Sequence, residues 1–180
     1  MRINLEKTIK IPEGVEVNLD GTNLIVKGKE GENKRDFKIR KISIEKQDNQ
    51  IKLISKKATK NEKKIMNTLA AHINNMIKGV QHKFEYKLKV CFSHFPITIE
   101  FKENEAIIKN FLGEKIPRKA KIPEGVEVDV SKDEVTIKST NRELGGQAAA
   151  NFEKATWIRM RDRRIFQDGI FITHKPGREE

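Results

Sequence analysis

Between residues 8 and 55 apolar and polar positions alternate, the period of half-buried strands. Val15, Val17 and Leu19 alternate with Glu16 and Asn18. Asp20-Gly21-Thr22-Asn23 turns the chain, because glycine takes positive φ without steric cost, and Leu24-Ile25-Val26 returns as the second arm of a hairpin. Lys27 to Lys34 reads as a charged loop containing two glycines. Phe37 with Ile39, Ile42 with Ile44, and Ile51 with Leu53 mark further strands. Past Thr59 the period changes. Ile65, Leu69, His72/Ile73, Met76 and Val80 recur at three or four residues, which predicts an amphipathic helix with one apolar stripe and Gly79 as its C-terminal cap.

The pattern then starts again. Phe84, Tyr86, Leu88 and Val90 share one face of a strand from His82 to Phe92. Ile97, Ile99 and Phe101 make the next strand, and Ala106-Ile107-Ile108 the one after. Gly113-Glu114-Lys115 turns the chain, and Val126, Val128 and Val130 pair with Val135 and Ile137 in a hairpin. A second helix is predicted from about Asn141 to Arg159, with Ala148, Ala149 and Ala150 small enough to bring it close to a sheet. Gly145-Gly146 serves the same close approach. Each helix follows a Thr-x-x-Glu capping box, Thr59-Lys60-Asn61-Glu62 and Thr140-Asn141-Arg142-Glu143, which satisfies free amides at a helix start. The expected fold class is α+β, with two tandem duplicated domains, residues 1–81 and 82–180. Each is an antiparallel sheet packed with one main helix, and the second carries a basic tail.

Two echoes compete to set the repeat. Lys10-Ile11-Pro12-Glu13-Gly14-Val15-Glu16-Val17 recurs letter for letter from Lys121 to Val128, displaced by 111 residues, whereas the capping boxes are displaced by 81. Only the shorter offset aligns strands and helix in order, so it is the domain repeat. The octapeptide is then convergence on one way into a hairpin: Pro fixes φ, Gly turns, and Val-x-Val begins the strand.

Charge changes the picture of what these domains meet. Thirty-seven Lys and Arg face twenty-six Asp and Glu, a net charge of +11. Such a balance favours a polyanion, because each cation that meets a phosphate releases condensed counterions. The excess is uneven: +8 over residues 1–80, +1 over 81–140 and +2 over 141–180. Six of the ten arginines nevertheless fall between Arg142 and Arg178. Arg159, Arg161, Arg163 and Arg164 crowd one short stretch just after Trp157, with His174, Lys175 and Arg178 following. A helix C-terminus favours one or two cations through its dipole, but not this many. Guanidinium groups fork two N–H donors onto phosphate and stack on bases, so the cluster points to nucleic acid. The candidate RNA-binding residues are Lys154, Arg159, Arg161, Arg163, Arg164, Lys175 and Arg178. The lysine-rich stretches Lys27–Lys34 and Lys56–Lys64 rank as secondary contacts.

Other chemistry finds little support. The single cysteine, Cys91, lies in an apolar strand-like run and rules out an intramolecular disulfide. His72, His82, His94 and His174 are scattered, and His72 belongs to the helical stripe. No metal-ligand spacing, nucleophile elbow or phosphate loop occurs. No enzyme activity, cofactor, metal or small-molecule substrate is expected. No run approaches the ~20 apolar residues of a membrane span, and no apolar core follows the N-terminal basic residues, so a cytoplasmic protein without membrane contact is expected.

Several motifs together carry a resemblance. They are Ile11-Pro12-Glu13-Gly14-Val15, then Val26-Lys27-Gly28 with its following glycine, then Gln147-Ala148-Ala149. The most specific is Arg164-Ile165-Phe166-Gln167-Asp168-Gly169-Ile170-Phe171. Over nearly its whole length the chain resembles the universal large-subunit ribosomal protein six family, in its archaeal and eukaryotic branch. The resemblance implies two tandem α+β domains from an ancient duplication. It implies binding to large-subunit rRNA, mainly through the C-terminal domain, near the docking region of translational GTPases, beside neighbouring ribosomal proteins. It implies a structural constituent with no catalysis. Trp157 to Asp162 matches no motif of the family, so roles for Arg159 and Arg161 rest on their chemistry alone. Phe166 and Phe171 are expected to anchor a last strand pair whose turn is Asp168-Gly169. The alternative is a non-ribosomal two-domain protein-interaction scaffold with incidental basic charge.

Overall fold

The computed structural model describes residues 3–37, 39, 41–47, 49–102 and 104–177. Within it the chain forms two compact units, Met1–Lys83 and Phe84–Glu180. The first contains β1 (Ile3–Lys10), β2 (Glu16–Asp20), β3 (Asn23–Gly28), β4 (Gly31–Asp36), β5 (Ser43–Gln47), β6 (Gln50–Ala58) and α1 (Lys60–Gln81). Its strands divide between two antiparallel sheets, ordered β1-β6-β5 and β2-β3-β4. Alternation places Val17 opposite Val26 and Leu19 opposite Leu24, so one face of the hairpin is apolar. Val17, Val26, Ile51, Leu53, Leu69, Ile73 and Val80 form the core beneath α1.

The segment Lys27–Lys34 is not a loop. It is the arms of the β3–β4 hairpin, with Gly28 opposite Gly31. A Cβ at Gly28 would lie 2.7 Å from the Val80 carbonyl oxygen, and the Glu30 amide donates to that same oxygen at 3.0 Å. This contact needs glycine and docks the hairpin on the end of α1. Gly79 is not the cap. The helix continues to Gln81, and His82 closes it by donating its amide to Lys78. The buried stripe starts at Met66, leaving Ile65 exposed.

At the other end of α1 the capping box is complete. The Asn61 amide donates to Thr59 Oγ1 at 3.3 Å, and Glu62 accepts from the Thr59 amide at 2.8 Å and from its hydroxyl. Thr59→Ala should therefore cost the first unit about 1 kcal/mol of stability, read by urea unfolding at neutral pH. The Thr59 hydroxyl, then its amide, hold the Glu62 carboxyl down to about 2 from an ordinary 4.5. A carboxyl depressed by folding stabilises above its unfolded pKa and stops doing so as pH falls through its folded one. The gap between wild type and Thr59→Ala should thus be full above about pH 4.5 and narrow toward pH 2.

The second unit repeats the plan. It contains β7 (Phe84–Cys91), β8 (Thr98–Lys102), β9 (Glu105–Lys109), a short 3-10 turn at Phe111–Gly113, β10 (Arg118–Lys121), β11 (Val126–Ser131), β12 (Glu134–Ser139), α2 (Arg142–Ala155) and β13 (Gly169–His174). Its sheets are ordered β11-β12-β7-β13 and β10-β9-β8. Strands beginning at 3, 16 and 23 recur at 84, 98 and 105, and the helix beginning at 60 recurs at 142. The shorter offset is therefore the structural repeat. The octapeptide is out of register: its first copy joins β1 to β2, its second β10 to β11.

Two features distinguish the second unit. The first is how closely α2 lies on the sheet. Ala148, Ala149 and Phe152 are fully buried, and a Cβ at Gly145 would meet the Tyr86 ring at 2.9 Å. Asn141, not Thr140, caps α2, accepting from the Glu143 amide at 2.9 Å, while Ser139 Oγ accepts from Asn141 at 3.1 Å. The second is an addition. After α2 the chain crosses in a loop, residues 157–168, and returns as β13 beside β7, with Ile170 opposite Val90 and Ile172 opposite Leu88. Asp168-Gly169 is accordingly not the turn of a strand pair. The described residues just before it form no strand, and Gly169 opens β13 at φ 153°.

Candidate nucleic-acid interface

The helix α2 ends at Ala155, four residues short of Arg159, and this decides where the arginines lie. Thr156 stops it. The Thr156 side chain is buried, donates back to the Phe152 and Glu153 carbonyls at 3.4 and 3.3 Å, and accepts from the Ile170 amide at 2.9 Å. That last bond ties the helix end to the start of β13. A helix carried on to Arg159 would break it.

Arg118 holds the other side of the same junction. Its Nη1 donates to the Ala155 and Trp157 carbonyls, both at 3.0 Å, satisfying oxygens that a helix end leaves free. Its Nε and Nη2 fork onto Glu114 at 2.8 and 2.6 Å. Its guanidinium lies 4.3 Å from the centre of the Phe111 ring. These hydrogen bonds from Arg118 keep the Glu114 carboxyl below its usual range, and the nearby charge of Arg161 adds to the effect. Sequence reading missed Arg118. Glu114 and Arg118 have a helical spacing, but the chain between them is not helical, and the carbonyls it holds are 37 and 39 residues away.

Between these anchors the loop displays its cations. Lys154, Arg159, Arg161, Arg163 and Arg164 are all exposed around the C-terminal end of α2. They are not equivalent. Arg164 Nη2 is 2.7 Å from Asp162, whose Oδ1 also accepts from the Arg164 amide at 2.9 Å. This pairing lowers the Asp162 pKa, raises that of Arg164 and part-neutralises its charge. The Arg161 guanidinium lies 4.8 Å from the centre of the Phe166 ring and that of Arg163 lies 5.8 Å from the Trp157 ring, so each packs one face on an aromatic while its side chain stays exposed. Arg159 makes no ion pair among the described residues.

Lys175 lies elsewhere. The strand β13 carries the chain about 17 Å away from the loop. There Arg142 donates to the Pro176 carbonyl at 2.9 Å, which places Lys175 by the N-terminal end of α2. Arg178 is outside the described residues. Five of the seven candidates therefore gather at one end of α2, and Lys175 does not join them.

A cavity of about 500 Å³ opens beneath the loop. Its wall includes Phe92, Glu153, Trp157, Arg163, Phe166 and Asp168. Asp168 is only 9% exposed and accepts from the Ser93 amide at 2.7 Å, which pins the loop to the end of β7. Cys91, from the apolar run of β7, is half-buried on this wall. Among the described residues no group of three or more His, Cys, Asp or Glu is arranged to hold a metal ion, and no helix is long and apolar enough to cross a membrane.

Comparison with known proteins gives one consistent result. The model of the ribosomal protein L6 family matches residues 11–83 and 95–169, one match in each unit. The chain is 44% identical over 174 residues to the large ribosomal subunit protein uL6 of Methanococcus vannielii, covering 97% of this chain and 96% of that one. It is 43% identical over 171 residues to the protein of the same name from Methanobrevibacter smithii, with 95% and 96% covered. It is 41% identical over 176 residues to that of Archaeoglobus fulgidus, with 95% and 90% covered.

Proposed function

Since the chain belongs to the ribosomal protein L6 family, we propose that it is a structural constituent of the large ribosomal subunit, one that binds large-subunit rRNA mainly through its second domain, residues 82–180. The supporting observation is the loop 157–168. It is held at both ends by buried or part-buried hydrogen bonds and presents Arg159, Arg161 and Arg163 to solvent without a direct ion pair among the described residues. Double-helical RNA hides its bases in a deep groove, so these groups act mostly on phosphates and shape. On this reading the contact lies near the docking region of translational GTPases, in the cytoplasm, among neighbouring ribosomal proteins. The protein works there without catalysis or cofactor.

Two measurements test this. The chain should co-sediment with large subunits on a sucrose gradient; a protein-interaction scaffold with incidental charge would stay at the top or travel with another complex. The binding constant for large-subunit rRNA should fall with salt, and Arg159→Ala with Arg163→Ala should reduce the log–log slope by roughly 1.4–1.8, since each lost phosphate contact is worth about 0.7–0.9. Arg164→Ala should change it less, because Asp162 already occupies that guanidinium. A slope left unchanged by the double variant would remove the loop from the interface.

A further inference from the structure

The cavity beneath the loop has a chemistry that phosphate contact does not use. Its rim is aromatic and open: Trp157 is 52% exposed and Phe92 42% exposed, although both border a strongly charged surface. Exposed rings of this size at a cationic site are the platforms on which unpaired bases stack. Two carboxylates, Asp168 and Glu153, also line the cavity, and carboxylates are acceptors only. Two negative groups repel a phosphate, so the nucleic-acid backbone is better met by Arg163, which lines the same cavity and stands against Trp157. The carboxylates instead suit a base edge that offers N–H donors. Guanine offers an N1–H and an N2 amino group side by side, the match for a carboxylate. The volume of about 500 Å³ falls among small-molecule pockets, which span about 300–1,000 Å³.

We propose that this cavity takes one unstacked guanine of the large-subunit rRNA, its ring against Trp157 and Phe166, its donor edge toward Asp168 and Glu153, and a flanking phosphate on Arg163. The proposal rests on the rRNA-binding reading above and adds to it a base-specific site. The architecture favours such use. Ser93, Thr156 and Arg118 fix the loop before any ligand arrives, so binding does not have to order it. Gly169 leaves room for the Phe171 ring, which borders the cavity: a Cβ there would sit 3.2 Å from it.

The test uses the full chain and large-subunit rRNA at fixed salt. Trp157 is the only tryptophan, so its fluorescence reports on the cavity alone. Binding should quench it. Trp157→Ala should weaken binding about tenfold, within the range for one lost stacked base, without changing the salt slope. Trp157→Phe, which keeps a stacking ring, should restore most of the affinity. Kethoxal, which attacks the N1 and N2 edge of unpaired guanine, should find one guanine protected in the wild-type complex and reactive again with Trp157→Ala. The idea is overturned if rRNA still binds with its usual salt dependence while the indole is unquenched and no guanine depends on Trp157; the rRNA-binding reading would survive that result. Quenching by ribosomal proteins but not by naked rRNA would also overturn it, by assigning the cavity to a peptide. Failure of the wild-type chain to bind rRNA at all would remove both.

Discussion

Arg118→Ala should loosen the whole arginine loop and lower the stability of the second unit by about 2–3 kcal/mol. The side chain makes four charge-assisted hydrogen bonds and covers the Phe111 ring, and hydrogen bonds to charged groups are individually worth about 1.5–3 kcal/mol. Its side chain is still 25% exposed, so water replaces part of what is lost and the total stays well below the sum. The structural consequence is specific. The carbonyls of Ala155 and Trp157 lose their donor, and the chain at Trp157 loses its hydrogen bond to β10. Amide hydrogen exchange should accelerate through residues 157–166 and much less in β11 and β12. Lysine is a poor substitute, because one ammonium cannot fork onto Glu114 and reach two carbonyls as well. Urea unfolding with exchange mass spectrometry reads both effects, and protection unchanged in the loop would show that Arg118 does not hold it. The effect also has a pH signature. Arg118 depresses Glu114, so the Glu114 contribution is complete above an ordinary carboxylate pKa of 4.5 and declines as pH falls through the lower folded value. The difference between wild type and Arg118→Ala should shrink in acid.

Phe152→Ala should be costlier still, about 3–5 kcal/mol, the range for deleting a buried aromatic ring. Phe152 has no exposed surface and lies on the close-packed face of α2 between Ala148, Ala149 and Thr156. Its neighbours are held against the sheet by alanines and glycines with no side chain to swing into the gap, so the cavity would not collapse. With domain stabilities near 5–15 kcal/mol, the variant should sit at the edge of folding. Thermal unfolding should show a fall of more than about 12 °C, at 4–8 °C per kcal/mol for a unit of this size. Met160→Ala, at a fully exposed position of the loop, is the control and should move stability by less than about 0.5 kcal/mol. A Phe152→Ala loss as small as the control's would mean that α2 does not depend on this packing.

The two largest effects differ in how visible they were beforehand. Phe152 stands in a helix whose small residues announce close packing. Arg118 stands in a stretch with no period at all, and its partners on α2 and in the loop come from elsewhere in the chain. The same contrast runs through the molecule. Thr59 and Glu62 form the box that their spacing predicts, because capping is settled within four residues. At α2 the same spacing misleads: Asn141 takes the cap, because Ser139 Oγ accepts the Asn141 amide and fixes the turn one residue later. Lys27–Lys34 looks like a loop by charge, yet pairs as a hairpin because Gly28 fits against Val80, a residue from the far end of the unit.

By itself the sequence determined the α+β class, the repeat and its shorter offset, and the presence of an arginine cluster after Trp157. Those are local properties: alternation, helical period, capping spacing and residue type are all written within a few positions. Only the tertiary structure decided that α2 stops at Ala155, that the arginines ride on a pinned loop rather than a helix, that Lys175 stands apart from them, and that Trp157, Asp168 and Glu153 line one cavity. Each depends on contacts between distant segments: Thr156 with Ile170, Arg118 with Ala155 and Trp157, Asp168 with Ser93. Hydrogen bonds of that reach form only once the sheets bring their partners together, so no periodicity along the chain records them.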